Sequence, residues 1–468
     1  MTRSGPSTPA LLGLTARLGA FVAGSPRRSL SGRLQTIVRN GFADTVATMI
    51  AGRMEPAAQI ARRWAASRQS PGRGQAHVLL SQEQMSARDA ALVNGVAAHA
   101  LDYDDVGLQG HPSAVLVSAL LAEGERLGSS GNDLINAYVA GHEVWAELIS
   151  RDHDLHHLKG WHPTGVFGTL AAASAIAALR GLDAERAAHA LGLAASMASG
   201  LAANFGSMAK PFHAGQAAAH GIDAADLAQA GMTAAPDVLE HPKGFLTAIS
   251  AGGRVNLEPL PADFGSVARL ESLGLTVKKY PMCFATHRVI DAAMDLVKAN
   301  DFGAAQLVSA EATVGPAQAS MLRNARPATG LEAKFSLQFA VAAPLVAHAC
   351  GLEQLEDTFV QRPDVQSLFE KLSIRIVNTS HPTEPTLAAS DRLVLHLSDG
   401  RCLDSGEVFV ARGEASAPLR DGDLAAKFHD CARTVEPAAR QALLDTLLSL
   451  PDVRSVSQIV QSGLACKL

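Results

Sequence analysis

Apolar residues recur at helical spacing through residues 14–250, and no other feature of the sequence constrains the fold as strongly. In 90–101, for example, Leu92, Val96 and Leu101 fall on one helical stripe. The same spacing recurs in 115–127, 134–149, 166–179, 184–202 and 216–230. Alanine and glycine are abundant along these stripes, and small residues let helix axes approach closely. We therefore predict a large helical domain with dense helix-on-helix packing.

The pattern changes near residue 270. Segments 307–314, 372–377 and 392–397 are rich in β-branched or alternating residues, which is typical of strands. Asp399-Gly400 stands between two apolar runs, and this arrangement predicts a hairpin. Helical patterns occupy 288–298 and 334–350, and they return from residue 419 onward.

These patterns predict a mainly α fold, in which a large all-helical domain is built from both chain ends and a smaller α+β domain is inserted late. The expected divisions are a disordered tail over 1–13, a first helical part over 14–269, the α+β domain over 270–412 and a C-terminal helical part over 413–468. A chain of 468 residues, 47% of them hydrophobic, is long enough to bury a core of this size.

The N-terminal segment allows two interpretations. Its first acidic residue is Asp44, and arginines and serines precede it, as in a mitochondrial targeting segment. The alternative is a short tail followed by an ordinary helix at 15–23, and we prefer it. We therefore expect a cytoplasmic protein.

Charge and cysteine usage exclude several classes of protein. The net charge of -5 provides no basic field, so we expect no nucleic-acid partner. No apolar run is long enough to cross a bilayer, so we expect no membrane partner. The cysteines are scattered and form no CxxC pair, which argues against an iron–sulfur cluster or a structural zinc site. They are Cys283, Cys350, Cys402, Cys431 and Cys466.

One short sequence pattern occurs three times in the helical half of the chain. His111, His162 and Lys210 each precede a proline and then an apolar helical stretch. Proline is favoured at the first helical position, and the N–H groups and dipole of a helix start attract anions. A single instance is most simply an ordinary helix start with a solvated side chain. Three instances, each with a cationic or titratable side chain, could converge on a ligand rich in carboxylates.

Two other polar clusters are less specific. The acidic residues 102–105 precede His111, and a carboxylate such as Asp102 could orient a histidine, although a surface helix end is the alternative. His153, His156, His157 and His162 suggest zinc, but no HExxH pattern is present. We therefore predict no metal and no cofactor.

A further candidate segment, 278–287, begins with Lys278 and contains Cys283 and His287. It lies where the helical half meets the α+β region, and clefts favour such junctions. Adjacent lysines alone are usually solvated, but a basic pair, a thiol and a histidine together are more specific.

The chain resembles the MmgE/PrpD family. The segments that carry the resemblance are 94–105, 111–113, 160–164, 204–215, 278–291 and 333–338. The resemblance implies a helical domain with an α+β lid, an active site between the two domains, catalysis without a metal, and a homodimer. Members include 2-methylcitrate dehydratase, cis-aconitate decarboxylase and iminodisuccinate epimerase, so the expected substrate is a small dicarboxylate or tricarboxylate.

Carried over by motif, the expected catalytic residues are Asp102, His111, His162, Lys210 and Lys278. The expected substrate-binding residues are Ser113, His213, Cys283 and His287. Lysines would stabilise charge that develops beside a carboxylate, and one histidine would act as base while the other acts as acid. Asp102 would orient one of the histidines.

Two departures from the family pattern bear on the reaction. Cis-aconitate decarboxylases carry histidine where this chain has Cys283, and threonine where it has Val106. We therefore predict a hydro-lyase that dehydrates a 2-methylcitrate-like hydroxy acid, as in propionate catabolism. An epimerase, a cis-aconitate-type decarboxylase and a non-catalytic metabolite-binding protein remain alternatives.

Overall fold

A computed structural model describes residues 13–69, 74–152, 154–381 and 386–464. Most of the expected tail, together with His153 and Cys466, lies outside the described residues. The helices are α1 Leu14–Gly24, α2 Gly32–Gly52, α3 Pro56–Ala66, α4 Ala87–His99, α5 Pro112–Leu127, α6 Gly131–Ile149, α7 Pro163–Leu179, α8 Ala184–Met197, α9 Ala209–Gln229, α10 Phe245–Ile249, α11 Arg269–Leu273, α12 His287–Ala299, α13 Pro316–Met321, α14 Gly330–Ala333, α15 Leu337–Ala347, α16 Asp357–Val360, α17 Pro363–Phe369, α18 Asp421–Cys431, α19 Pro437–Leu448 and α20 Ser457–Leu464.

The strands are β1 Ala76–His77, β2 Gln84–Met85, β3 Leu307–Val314, β4 Leu372–Ile376, β5 Arg392–Leu397 and β6 Cys402–Asp404. The first two form a short antiparallel pair. The other four form a mixed sheet of order β4-β3-β5-β6, in which β3 and β4 are parallel. Gly400, at φ +88° in the β5–β6 turn, occupies the conformation that the predicted hairpin requires. The predicted fold class, mainly helical with a smaller α+β region, is confirmed.

The described residues form two compact units. Unit 1 comprises those of Met1–Leu275 and Ala432–Leu468, and unit 2 comprises Thr276–Cys431. The boundaries expected from sequence lie at 269/270 and 412/413, so α18 falls in unit 2 rather than with the C-terminal helices. Two contacts hold α18 to unit 2. Lys427 Nζ of α18 donates to the carbonyl of Lys278 at 2.7 Å, and Asp423 pairs with Lys279 at 3.2 Å.

Close backbone approach organises unit 1 around α9. A Cβ on Gly215 would lie 2.3 Å from the carbonyl oxygen of Leu92, so α4 and α9 can meet only if this residue is glycine. One turn and a half further along, a Cβ on Gly221 would lie 2.3 Å from Ala172 of α7. These contacts bring the C-terminal end of α4 and the N-terminal ends of α7 and α9 together, with α5 beside them. No described helix combines the length and the apolar character needed to cross a membrane.

Unit 2 has its own apolar core. One face of the mixed sheet buries Ala310, Ala312, Leu393 and Leu395, with α12 packed on β5 and α15 packed on α12. Their alternation with more exposed residues on β3 and β5 is the period expected of a half-buried strand.

Candidate active site

Three helix N-termini of unit 1 supply the predicted cluster. His111 and His162 are the N-cap residues of α5 and α7, and proline follows each as the first helical residue. Neither histidine caps its own helix through its side chain, so both rings are available for other contacts. The third instance differs from the prediction, because α9 begins at Ala209 and Lys210 lies inside its first turn. Pro211 is tolerated there because the first four N–H groups of a helix have no partner within the helix.

Asp104 is the buried centre of the cluster. Its Oδ1 accepts a hydrogen bond from His99 Nδ1 at 2.9 Å, and its Oδ2 lies 3.1 Å from His111 Nδ1. Burial opposes ionisation of Asp104, but the two imidazoles outweigh burial and hold the pKa of that carboxyl well below its usual range. Burial, more than the charge of Asp104, sets the pKa of His99, which falls to about 4. His99 is therefore a neutral donor near pH 7, and it fixes the carboxylate that faces His111.

Asp102 links His111 to Lys210. Lys210 Nζ donates to Asp102 Oδ1 at 2.6 Å, and His111 Nε2 lies 3.5 Å from the same oxygen. Asp102 has φ +53°, a left-handed conformation that a non-glycine residue adopts at a cost of about 1–3 kcal/mol. Such strain persists only where the surroundings hold it, and functional sites are where it concentrates. The Lys210 ammonium also lies 5.6 Å from the ring centre of Phe205, at cation–π range.

His162 forms the other side of the cluster. It is only 2% exposed, and its Nδ1 lies 3.0 Å from His213 Nδ1. Its ring stacks beside His99 at 6.0 Å and meets the edge of Phe205 at 4.9 Å. Burial, and then electrostatic repulsion of a proton by the neighbouring His99 and Lys210 side chains, lower the pKa of His162 far below 6.5. The imidazole is therefore neutral at pH 7, rather than titrating near neutrality as an exposed histidine does.

Ser113 lies behind the site. It is fully buried, and its N–H and Oγ–H both donate to the carboxyl of Asp105, at 3.1 and 2.8 Å. Its Oγ is also 2.7 Å from the hydroxyl of Tyr138. Burial, and then Asp104 and Asp44, raise the pKa of Asp105 to about 8. In this structure Ser113 therefore ties the start of α5, and with it His111, to the loop of Asp105, and it offers no surface to a substrate.

The remaining sequence-predicted residues belong to unit 2. Lys278 and His287 are buried, and Cys283 is partly buried with its N–H donating to the carbonyl of Lys334 at 3.0 Å. The His287 ring lies 5.3 Å from that of Tyr280 and 5.0 Å from that of Phe284. Burial, and then the charge of Lys278, lower the pKa of His287 to about 3. His287 is thus a neutral core residue of its unit, whereas Lys278 places a cation in the same segment.

Four residues of the unit 1 cluster have donor atoms within 4.8 Å of one another: His99, Asp102, Asp104 and His111. This spacing is compatible with a divalent ion. However, the Lys210 ammonium already pairs with Asp102 at 2.6 Å, and its positive charge would repel a metal cation bound to the same carboxylate. We therefore assign no metal to these residues.

Sequence reasoning missed three members of the site. His99 and Phe205 lie in the resemblance segments 94–105 and 204–215 but received no role there, and Tyr138 lies outside every motif; their contacts in the fold bring them into the site. A usable signal did exist for His99, because it ends α4 and precedes the acidic residues by only a few positions. The zinc interpretation of the His-rich loop gains no support, since among its described residues His156 pairs only with Asp152, at 3.7 Å.

Comparison with known proteins addresses the whole chain. The model of the MmgE/PrpD N-terminal domain matches residues 16–258, and the model of the MmgE/PrpD C-terminal domain matches residues 280–450. The cis-aconitate decarboxylase of Mus musculus is 29% identical over 396 residues, which cover 80% of this chain and 77% of that protein. The Homo sapiens enzyme is 28% identical over 79% of this chain and 77% of its own length, and the Aspergillus terreus enzyme is 26% identical over 80% of each.

These relatives favour the decarboxylase alternative over the dehydratase predicted from Cys283 and Val106. The order of the matched regions agrees with the resemblance found in the motifs. With both family domains matched over most of its length, the chain belongs to the MmgE/PrpD family.

Proposed function

We propose that the protein is a lyase that releases carbon dioxide from a small tricarboxylate of the cis-aconitate type. The observation that carries the proposal is the Lys210 ammonium, which is held by Asp102 between His111 and the His162–His213 pair at three helix N-termini. An ammonium and the free N–H groups of helix starts attract carboxylates, and neutral imidazoles exchange protons. The similarity to cis-aconitate decarboxylases supplies the substrate class.

The proposed reaction assigns a task to each group. The carbon–carbon bond to one carboxylate breaks, carbon dioxide leaves, and the electron pair spreads over the remaining double bond and its carboxylate. Lys210 stabilises this charge, an effect usually worth about 10²–10³ in kcat for a single well-placed donor. An imidazole N–H then protonates carbon, so that one proton is consumed in each turnover. His111 and His162 are the proposed proton donors, Asp102 orients His111, and Lys278 is a proposed second cation for the substrate.

Dehydration of a 2-methylcitrate-like acid is the second candidate. Cys283 and Val106, which replace the histidine and threonine of the decarboxylases, are the observation that favours it. The same two histidines could catalyse this dehydration, since one imidazole would remove a proton beside a carboxylate and the other would protonate the departing hydroxyl. A homodimer also remains part of the proposal.

The deciding experiment uses the EDTA-treated protein with cis-aconitate, 2-methylcitrate, citrate and iminodisuccinate, one at a time, in deuterated water. Proton NMR should show an itaconate that carries deuterium at the protonated carbon, and carbon-13 NMR should show the released carbon dioxide. An alkene formed from 2-methylcitrate or citrate would instead establish the dehydratase. Deuterium gained without net turnover would indicate an epimerase. If a folded sample converts none of these acids, the enzyme proposal loses to the metabolite-binding alternative.

A further inference from the structure

His162 and His213 form a buried imidazole pair. Their Nδ1 atoms are 3.0 Å apart, which is hydrogen-bonding distance, and their ring centres are 5.3 Å apart. Gly200 accepts the backbone N–H of His162 at 3.0 Å. Gly200 has φ +132°, and a Cβ there would lie only 3.3 Å from the ring of His213 and would touch the Cβ of His162 at 3.5 Å. The backbone is therefore shaped to let the two rings meet.

The two rings differ in their access to water. His162 is almost completely buried, whereas His213, in the second turn of α9, is only partly buried. Among the described residues, none hydrogen-bonds Nε2 of His162. Nε2 points away from Nδ1 across an imidazole ring, so this atom lies on the side of His162 that faces away from His213. A ring nitrogen without a protein partner is available to a ligand.

Both rings are neutral at physiological pH. Burial, and then electrostatic repulsion of a proton by the His99 and Lys210 side chains, lower the pKa of His213, as they do that of His162. Only one proton fits between the two Nδ1 atoms, so one ring donates and the other accepts. If His213 donates, His162 carries its own proton on Nε2, where it is available to a substrate carbon.

We propose that His213 is a proton-relay residue that carries protons from solvent to His162, which delivers them to the substrate. The inference rests on the proposed function. In one turnover, Nε2–H of His162 protonates the carbon that has lost carbon dioxide. His162 Nδ1 takes the proton from His213 Nδ1, and His213 regains one from water at its own Nε2. This step leaves the pair in the reverse tautomer. When water replaces the product, Nε2 of His162 takes a proton from it, Nδ1 of His162 returns its proton to Nδ1 of His213, and Nε2 of His213 releases its proton to solvent, which restores the starting arrangement. The relay thus supplies the single proton at the moment that decarboxylation consumes it.

The kinetic test compares His213→Asn with a matched control, His220→Asn. His220 lies two turns further along α9, is partly buried, and its Nδ1 contacts the carbonyl of Met197 at 3.1 Å. We expect His213→Asn to lose about tenfold to hundredfold in kcat, which reaches only the lower end of the range for groups that transfer a proton directly to substrate, with KM unchanged. Added imidazole should restore part of the rate, and His220→Asn should resemble the wild type. Turnover of His213→Asn within about twofold of wild type would overturn the relay, as would a loss that imidazole does not restore or that His220→Asn shares.

A second measurement needs no substrate. Nitrogen-15 NMR of histidine-labelled wild-type protein should find His162 protonated at Nε2 and His213 protonated at Nδ1. The reverse arrangement would overturn the relay, because His162 would then have no proton to deliver from Nε2. If the wild type converts none of the acids, the proposed function fails, and this tautomer measurement still decides the pair.

Discussion

Two buried polar clusters, one around Asp104 in unit 1 and one around Asp391 in unit 2, differ in how completely their polar atoms are paired. In unit 2, Arg288 donates through Nη2 and Nε to the two oxygens of Asp391, at 2.9 and 3.1 Å. Gln318 donates to the same carboxylate at 3.1 Å, and the carbonyl of Ala388 accepts from Arg288 at 3.0 Å. In unit 1, by contrast, Nε2 of His99 is buried with no hydrogen-bond partner, and no described residue bonds Nε2 of His162.

The difference distinguishes a structural cluster from a chemical one. A buried ion pair stabilises a fold only when its members satisfy one another, and the Arg288–Asp391 pair does so. A cluster that keeps unpaired nitrogens beside a strained Asp102 costs stability, and such a cost is typical of sites that bind and react. The predictions below test this contrast, from the largest expected effect to the smallest.

Arg288→Met should produce the largest loss of stability. It leaves the buried Asp391 carboxylate without its cation, and breaking a buried pair in this way typically costs about 3–5 kcal/mol. Denaturant unfolding would measure the loss. The matched control is Arg288→Met with Asp391→Leu, which removes both charges and should recover much of the stability. An Arg288→Met variant as stable as the wild type would show that the unit 2 cluster is not structural.

Lys210→Met should lose much activity and little stability, the opposite of what is expected for Arg288→Met. The side chains of Lys210 and Asp102 both reach solvent, so water can replace the ammonium, and the free energy of unfolding should change by no more than about 1 kcal/mol. The kcat for the preferred acid should fall about 10²–10³-fold, because the charge that meets the developing anion is lost. Steady-state kinetics and unfolding of the same sample decide the matter. Near-normal turnover would remove Lys210 from the proposed chemistry.

Asp105→Asn tests a buried acid that supports the site. The raised pKa of Asp105, about 8, means that the folded state keeps a proton which the unfolded chain releases above its ordinary pKa of about 3.9. This group's contribution to stability is therefore largest below pH 4 and is lost as pH rises through 8. Asparagine does not titrate, so the variant should gain stability relative to wild type by up to about 1 kcal/mol per pH unit across this window. A difference that stays constant with pH would mean that Asp105 is already ionised in the folded state.

Arg326→Ala should have the smallest effect. Arg326 pairs with Glu370 in unit 2, but both side chains are about two-thirds exposed, at 69% and 66%. Exposed pairs contribute about 0–1 kcal/mol, and salt screens them further. Thermal unfolding at low and high salt would detect the change. A loss as large as that of Arg288→Met would show that burial is not what separates the two pairs.

Much of the fold could be predicted because it depends on local patterns. Helical spacing located α4 to α9 closely, and the alternating residues of 307–314 coincide with β3. The start of α9 could not be placed, because proline is allowed anywhere in the first turn of a helix and the sequence does not say which position it takes. The grouping of α18 with unit 2 depends on Lys427 and Asp423, whose partners are far away in sequence.

Part of the candidate site could likewise be predicted from the sequence, and part could not. Motifs identified His111, His162, Lys210 and Asp102, and the structure brings all four into one cluster of unit 1. The motifs could not assign a role to each residue. Ser113, for example, has the residue type of a ligand contact, but it is fully buried and bonded to Asp105 and Tyr138. His213 was expected to bind substrate, and only its distance to His162 suggests the relay.

By itself, the sequence determined which segments are helices, the prolines that begin α5 and α7, and the family to which the chain belongs, because periodicity, proline positions and motif order are properties of neighbouring residues. Only the tertiary structure decided which histidines are neutral, which carboxyl keeps its proton and which two rings share one. Those properties depend on burial and on charges a few ångströms away, contributed by helices that lie far apart along the chain.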